Sequence, residues 1–229
     1  MDTDPAIAPT SELIDDEARD RVTVSGPDAQ TYLQSQIAQE IRDLQVGGAR
    51  WTMVLDPSGK IDVLARIERT GEEEFVLDTD AGFGDALMAR INRFKIRVDA
   101  EVALDTATND SPSMQHELKR IAAGWPRMGA EIEPGSTIPA TTGITMLAVN
   151  FTKGCYPGQE LVERMDSRGA DAPRTLRVVD LDEGASVGDP VVVDGAEVGS
   201  LTSVAGEGGI GLAYIKRGVD VGRLPAHLA

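Results

Sequence analysis

The sequence predicts an α+β fold of mostly antiparallel sheets with helices on one face, followed by a small C-terminal β-barrel. Two observations predict it: alternating apolar runs separated by helical stripes as far as residue 123, and four short strand patterns after Pro173. Of the 229 residues 41% are apolar, which is enough to bury a substantial core.

An acidic arm is predicted to precede the first strand and helix. Residues 1–20 contain seven acidic side chains and one arginine, a composition typical of a flexible segment. A short strand at 21–24 leads into Ser25-Gly26-Pro27-Asp28, which resembles a helix start. The helix is predicted to continue to Gly47-Gly48 along the apolar stripe Ala29, Leu33, Ile37, Ile41 and Leu44.

Residues 50–105 are predicted to form a ferredoxin-like subdomain. Alternating apolar residues mark strands at 50–55 and 61–68, joined by the turn sequence Asp56-Pro57-Ser58-Gly59. A strand at 74–77 comes next, then a helix and a last strand. The helix has the apolar face Phe83, Leu87, Ile91 and Phe94, and the last strand alternates at Ile96, Val98, Ala100, Val102 and Leu104.

The second half of the chain changes character at about residues 170–175. A helix at 113–123 ends at Gly124, and an irregular stretch at 127–147 follows, of a length that is often functional. Short strands and the hairpin turn Asp194-Gly195 then predict the barrel. We therefore expect an arm at 1–20, a main region at 21–172 and the barrel at 173–229.

Composition excludes several classes of protein. The formal charge of −16 disfavours nucleic acid and anionic membranes as partners. No run of eighteen apolar residues predicts a membrane helix, and the acidic start lacks a secretory signal, so a cytoplasmic location is expected. With Cys155 alone and two distant histidines, His116 and His227, no metal site is predicted.

The segment Lys153-Gly154-Cys155-Tyr156-Pro157-Gly158-Gln159-Glu160 is the strongest candidate site. Tyr156–Gln159 suits a type II turn, and a short helix follows from Gln159. Lys153 and the helix N-terminus would favour a Cys155 thiolate, and Gly154 would let a ligand approach the backbone. The alternative is that Cys155 is a small buried core residue.

Basic residues are relatively frequent around this segment. Between residues 150 and 177 there are five bases and four acids, so an anionic small molecule would be least repelled there. The alternative is ordinary mixing of surface charges.

The octapeptide resembles the signature of the YgfZ family, Lys-Gly-Cys-Tyr-x-Gly-Gln-Glu. Weaker matches fall in the right order: Gly26–Gln36, Arg120–Pro126 and Val198-Gly199. The family is similar in fold to the T-protein of the glycine cleavage system, a tetrahydrofolate-dependent aminomethyltransferase. The resemblance therefore implies a T-protein-like fold, tetrahydrofolate bound by residues 21–172, and a role in assembling or repairing iron–sulfur clusters.

The resemblance also implies roles for the site residues. Cys155 would be a redox-active or transiently ligating thiol that Lys153 keeps ionised, and Tyr156 would stack on a folate ring. The other residues implied in folate binding are Gly154 and Gly158 in the loop, Gln159 and Glu160 as orienting residues, and Arg164 and Arg168 as bases for the glutamate tail.

One comparison argues against the interpretation of this chain as an aminomethyltransferase. Those enzymes carry an Asp pair after a glycine-containing turn and an acid in a Leu-Arg-x-Glu-x-Gly segment. Here Asp62 keeps one acid of the pair, whereas Ala122 stands at the place of the second motif's acid. Asp62 either faces the folate pocket or lies on the solvent side of its strand.

Three functions are consistent with the sequence. The first is a folate-dependent accessory factor whose partners are iron–sulfur client or assembly proteins, any cluster being shared because one cysteine cannot hold it. The second is a one-carbon transferase with Asp62 as acid–base group. The third is a non-catalytic folate sensor, so that enzymatic activity stays open.

Overall fold

Two antiparallel sheets and the helices packed on them form the described part of the chain. The computed structural model describes residues 18–107, 112–167, 172–206 and 209–225. Among these residues, no helix has both the length and the apolarity needed to cross a membrane. The strands are β1 (Arg19–Ser25), β2 (Ala49–Leu55), β3 (Ile61–Arg69), β4 (Glu74–Asp80), β5 (Glu101–Asp105), β6 (Arg174–Asp180), β7 (Pro190–Val193), β8 (Ala196–Val204) and β9 (Ile210–Lys216). The helices are α1 (Ala29–Gln36), α2 (Gly84–Asn92), α3 (Met114–Ala123), α4 (Thr145–Ala148) and α5 (Gln159–Ser167), with a 3₁₀ turn at Pro139–Thr141.

The first sheet has the strand order β2-β3-β4-β1-β5, with antiparallel neighbours throughout. Strand β1 precedes the expected 50–105 subdomain in sequence, but it lies between β4 and β5 in the sheet. Helices α1 and α2 supply Leu33, Leu87 and Ile91 to a core that covers one face of this sheet. The antiparallel α+β arrangement predicted from the apolar patterns is confirmed.

The other face of β2 and β3 is covered by the irregular segment between α3 and α5. Side chains alternate along a strand, so Trp51 and Met53 point away from the helices and into a second core. Trp125 packs there against Trp51 with ring centroids 4.6 Å apart. The irregular segment is therefore an internal layer of the fold.

The C-terminal strands form an open sheet. Their order is β6-β9-β8-β7, so β6 and β7 are the two edges. The predicted antiparallel strands are confirmed, but among the described residues they do not close into the expected barrel.

A buried ion pair joins this sheet to the rest of the chain. Arg120 of α3 contacts Glu131 with Nη1 and Oε2 2.9 Å apart, and both side chains are almost fully buried. Glu131 also accepts hydrogen bonds from Thr202 at 2.8 Å and Ser203 at 2.5 Å, both on β8. Its peptide oxygen accepts one from the Tyr214 hydroxyl at 2.9 Å. The C-terminal sheet is thus fixed by fully paired polar groups.

The arm predicted at 1–20 is too long by at least two residues. Arg19 and Asp20 belong to β1 because tertiary contacts hold them there. Arg19 Nη1 lies 2.8 Å from an Asp80 oxygen, and the buried Asp20 carboxylate accepts the backbone N–H groups of Gly82 and Gly84. Residues 1–17 lie outside the described residues.

Helix α1 is shorter than predicted. It ends at Gln36, and Ile37 is extended, with φ −112° and ψ 159°. Ile37, Ile41 and Leu44 are nevertheless buried in the same core as Leu33. The apolar stripe identified core residues correctly, although only its first part is helical.

Residues 93–100 differ from both predictions made for them. Helix α2 ends at Asn92 and β5 begins at Glu101, so neither element includes this segment. Arg97 adopts φ +57°, a left-handed conformation that interrupts a strand. Phe94 and Ile96 are consequently 42% and 77% exposed instead of lying in the core.

We predict that Arg120→Met destabilises the protein by about 3–5 kcal/mol, because it leaves the buried Glu131 carboxylate without its cationic partner. The matched control is Asp43→Asn, which removes the partly exposed Asp43–Arg50 pair and should cost less than about 1 kcal/mol. Urea unfolding measures both variants. A cost below about 1 kcal/mol for Arg120→Met would contradict the structural role of the pair.

Candidate functional site

Two tight turns meet at the centre of the candidate site. The turn Asp56–Gly59 joins β2 to β3, and the turn Tyr156–Gln159 has the predicted type II features, with Gly158 at φ +82°. A Cβ on Gly158 would lie 2.5 Å from the Asp56 carbonyl oxygen and 2.8 Å from the Gly59 Cα. A side chain at Gly158 is therefore excluded, and the backbone contact fixes the cysteine loop against the hairpin.

Lys153 anchors the start of the same loop. Its buried ammonium donates to the carbonyl oxygens of Gln34 at 2.7 Å, Ile37 at 2.6 Å and Gln39 at 2.9 Å. These carbonyls lie where α1 stops, so a tertiary contact satisfies groups that a longer helix would have used. Burial lowers the Lys153 pKa to about 8, and Glu40 acts in the opposite direction.

The geometry gives Lys153 a positioning role in addition to the expected one. An ammonium has three donors, and here all three are directed at backbone carbonyls. Its Nζ also lies 5.2 Å from the centre of the Tyr156 ring. Lys153 therefore positions the loop that carries Cys155, and its effect on the ionisation of the thiol stays a prediction.

Cys155 is exposed, which corrects the alternative of a buried core residue. Gly154 beside it is exposed too, and a Cβ there would meet nothing within 4 Å. Helix α5 begins four residues after Cys155, at Gln159, as predicted. The thiol and the adjacent backbone are thus open to a ligand or a partner.

Tyr156 and Trp51 contribute unpaired polar atoms to the second core. The Tyr156 hydroxyl and the Trp51 Nε1 are buried without a hydrogen-bond partner among the described residues. Burial, with a smaller effect of Glu163, raises the Tyr156 pKa to about 12, so the hydroxyl keeps its proton. A buried donor without a partner is destabilising, which points to a ligand atom that accepts its hydrogen bond.

Asp62 lies at the same end of the hairpin and is neither freely solvated nor fully buried. One of its oxygens is 3.3 Å from Arg90 Nε, and its side chain is 26% exposed. Arg90 is itself buried and donates to the Leu55 carbonyl at 2.9 Å. Burial raises the Asp62 pKa, and Arg90 opposes the rise.

A mainly apolar cavity of about 220 Å³ adjoins the loop. Its walls include Phe151 before the loop and Leu161, Val162 and Met165 after it, with Pro139 and Met146 opposite. This volume is below the roughly 300–1,000 Å³ of typical small-molecule pockets. The cavity can therefore hold one ring system of a ligand but not a whole extended cofactor.

The remaining predicted residues divide into three groups. Gln159 fits an orienting role, because its Oε1 accepts the Tyr156 N–H at 3.3 Å and its amide contacts Glu163. Glu160 and Arg164 are exposed on α5. Arg168 lies outside the described residues.

Sequence reasoning missed Arg90 and Trp51 as site residues. Arg90 immediately precedes Ile91 on the buried face of α2, and a buried arginine needs a partner. The place of Arg90 in the helix pattern was therefore the signal in the sequence that could have identified it. Trp51 gave no local signal, because its unpaired nitrogen follows only from the packing of the irregular segment.

Comparison with known proteins places the fold in a known group. Residues 6–115 match the family described as the GCVT N-terminal domain. The crystal structure of the glycine cleavage system aminomethyltransferase T from Bartonella henselae superposes with a TM-score of 0.72, covering 91% of this chain and 81% of that chain at 14% identity. This likeness establishes a T-protein-like fold.

Two relatives found by sequence match this chain over only part of their own length. The tRNA-modifying protein YgfZ of Enterobacter sp. (strain 638) is 28% identical over 218 residues, covering 65% of this chain and 66% of its own length. The mitochondrial iron–sulfur cluster assembly factor IBA57 homologue of Neurospora crassa is 24% identical over 235 residues, covering 74% and 54%. The chain thus spans about half to two thirds of the length of these relatives.

We predict that one of the five lysines titrates near pH 8 and that this resonance is absent from Lys153→Met. Between about pH 8 and 10.5 the unfolded chain holds a proton that the folded protein has released. The free energy of unfolding of the wild type, relative to Lys153→Met, should therefore rise with pH across this window. NMR titration of the lysine side chains and urea unfolding test this, with exposed Lys119→Met as control. Titration of every lysine above pH 10 would contradict it.

We also predict opposite outcomes for two glycines of the loop. Gly158→Ala should destabilise the protein by about 1–3 kcal/mol through its positive φ, with the 2.5 Å contact adding to this cost. Gly154→Ala meets open space and should change stability by less than about 0.5 kcal/mol. Thermal unfolding measures both, and equal effects would refute the proposed contact between the two turns.

Proposed function

We propose that this chain, which belongs to the YgfZ-type family related to the glycine cleavage aminomethyltransferases, binds a tetrahydrofolate and supports the assembly or repair of iron–sulfur clusters in client enzymes. The observation that carries the proposal is the contact between the cysteine loop and the β2–β3 hairpin at Gly158 and Gly59. The loop brings an exposed lone thiol at Cys155 and the unpaired buried hydroxyl of Tyr156, and the start of β3 brings the partly buried carboxylate of Asp62.

The chemistry of these residues fits a reduced folate. A pterin presents ring and amino N–H groups, which a carboxylate such as Asp62 accepts well. Its flat rings suit an apolar cavity bounded by Phe151 and Leu161. Tyr156 would donate its hydroxyl proton to a ligand acceptor, which would satisfy the buried donor that lacks a protein partner.

Each residue has a distinct task in this account. Bound tetrahydrofolate would supply one-carbon or redox chemistry. Lys153 would hold the loop, Tyr156 would orient the ligand, and Asp62 would hold or move a proton at its carboxylate. Cys155 would offer its exposed sulfur to iron. An iron–sulfur cluster needs about four ligands, so the other thiolates would come from partner proteins or small thiols.

The acidic charge of the chain agrees with protein partners rather than nucleic acid. A chain with charge −16 repels a phosphate backbone, whereas an exposed thiol on a loop is accessible to a client protein. The IBA57 relatives are described as mitochondrial proteins, and a cytoplasmic location for this chain remains a prediction.

A one-carbon transferase is the second candidate. Burial raises the pKa of Asp62, and this direction together with its partial exposure favours an acid–base role. Ala122, at the position of a family acid, argues against the complete aminomethyltransferase site. A folate sensor without catalysis would use the same pocket and need neither Asp62 nor Cys155 for chemistry.

We predict that Cys155→Ala folds and binds tetrahydrofolate like the wild type but no longer supports iron–sulfur enzymes. The side chain is exposed, and substitutions at exposed positions usually change stability little. Complementation of a strain lacking its own family member, scored by the activity of iron–sulfur enzymes, measures the loss. Full rescue by Cys155→Ala would remove the thiol from the mechanism and favour the sensor.

Asp62→Asn separates the first two candidates. The amide keeps the size of the side chain and removes its charge, so tetrahydrofolate binding should weaken about tenfold through loss of one charge-assisted hydrogen bond. A purified assay for transfer of formaldehyde-level carbon, active in the wild type and abolished by Asp62→Asn, would favour the transferase. Absence of transfer by the wild type, with intact iron–sulfur support, would favour the accessory factor.

A further inference from the structure

The C-terminal sheet has an outer face that is only partly covered. Side chains alternate along β6, so Val178 packs with Ile121 of α3, whereas Val179 points to the opposite face and belongs to a separate apolar cluster. Among the described residues, no helix contributes to this outer cluster. Besides the strands themselves, only loop residues at 181–185 and 219–221 pack on it.

A groove of about 460 Å³ remains open on this outer face. We define it as the C-terminal groove, lined by residues 179–185, 189–192, 201 and 221–222. Its volume falls in the range of about 300–1,000 Å³ that is typical of ligand pockets. It shares no lining residue with the cavity beside the cysteine loop, so an inference drawn from it goes beyond the proposed function.

Apolar side chains in the C-terminal groove remain accessible. Val192 of β7 is 55% exposed, and Leu181, Val191 and Val221 are half-buried. Strand β7 is also an edge of the sheet, so its outer side has no partner strand among the described residues. Another chain can therefore approach the groove with apolar side chains and can pair with the backbone of β7.

The charged lining residues of the groove are all acidic. They are Asp180, Asp182, Glu183 and Asp189, and all four are exposed. Asp189 accepts the backbone N–H of Ser186 at 2.8 Å, which holds the loop before β7. Carboxylates beside accessible apolar walls are complementary to a ligand that carries basic and apolar groups together.

We infer that the C-terminal groove binds a short, extended segment of a partner protein that carries both basic and apolar side chains. The apolar side chains of the segment pack on Leu181, Val191 and Val192, and its lysines or arginines pair with the carboxylates of the groove. A small organic amine offers the charge but neither a peptide backbone for β7 nor branched apolar side chains. The combination of an edge strand with an apolar and acidic groove therefore favours a protein segment.

The inference is tested with the peptide acetyl-Lys-Val-Lys-Val-Lys-Val-amide, titrated into the full chain while backbone amide NMR shifts are followed. The largest shifts should fall at residues 179–192 and 221–222. Asp182→Asn/Glu183→Gln should weaken binding about tenfold through loss of charge-assisted contacts. The matched control Asp194→Asn/Glu197→Gln removes the same charge from the β7–β8 hairpin, outside the groove, and should change the affinity less than about twofold.

A second pair of variants tests the apolar contacts. Val192→Thr keeps the shape of the side chain but replaces a methyl group with a hydroxyl, and it should weaken peptide binding about threefold. Val187→Thr is the control, because Val187 is 65% exposed and lies outside the groove lining, so the affinity should stay unchanged.

Several outcomes would overturn the inference. They are absence of peptide binding, shifts spread over the whole acidic surface, equal effects of the two double variants, and unchanged affinity of Val192→Thr. Spermidine binding as tightly as the peptide would overturn the protein segment and assign the groove to small amines. The titration needs no folate, so failure of tetrahydrofolate binding with an intact peptide response would contradict the proposed function alone.

Discussion

The close contact between Gly59 and Gly158 is the constraint on which the candidate site depends. Two turns from distant parts of the chain approach so closely that neither glycine can carry a side chain. This contact places the loop that ends in Gln159 at the start of β3, where Asp62 lies. The proposed function depends on this arrangement, because it combines the thiol of Cys155 with the carboxylate of Asp62.

Buried polar groups fix the layers around this contact. Lys153 ties the loop to the end of α1 through three carbonyls, and Arg120 with Glu131 ties the irregular segment to the C-terminal sheet. Each of these groups is paired, so each holds a particular arrangement of backbone rather than adding general stability. By contrast, the Tyr156 hydroxyl is buried without a hydrogen-bond partner among the described residues, and a ligand atom could accept its hydrogen bond.

The sequence predicted most of the fold because its strands and core residues follow a period of two or of 3.6. It predicted the turn at Gly158 and the helix starting at Gln159 for local reasons: proline fixes φ at the first central position of the turn, and glycine accepts the positive φ of the second. It failed where tertiary contacts override the local pattern. The Lys153 ammonium takes over the carbonyls at the end of α1, and Arg97 interrupts a pattern that alternates like a strand.

The account is tested most directly by the alkylation of Cys155, the single thiol in the chain, with and without tetrahydrofolate. If the folate site and the cysteine loop are one site, saturating tetrahydrofolate should slow modification of this exposed sulfur several-fold. The mass of the intact chain follows the reaction, because each chain can accept one label. An unchanged rate at a tetrahydrofolate concentration that saturates binding would show that the ligand lies elsewhere and would contradict the central claim.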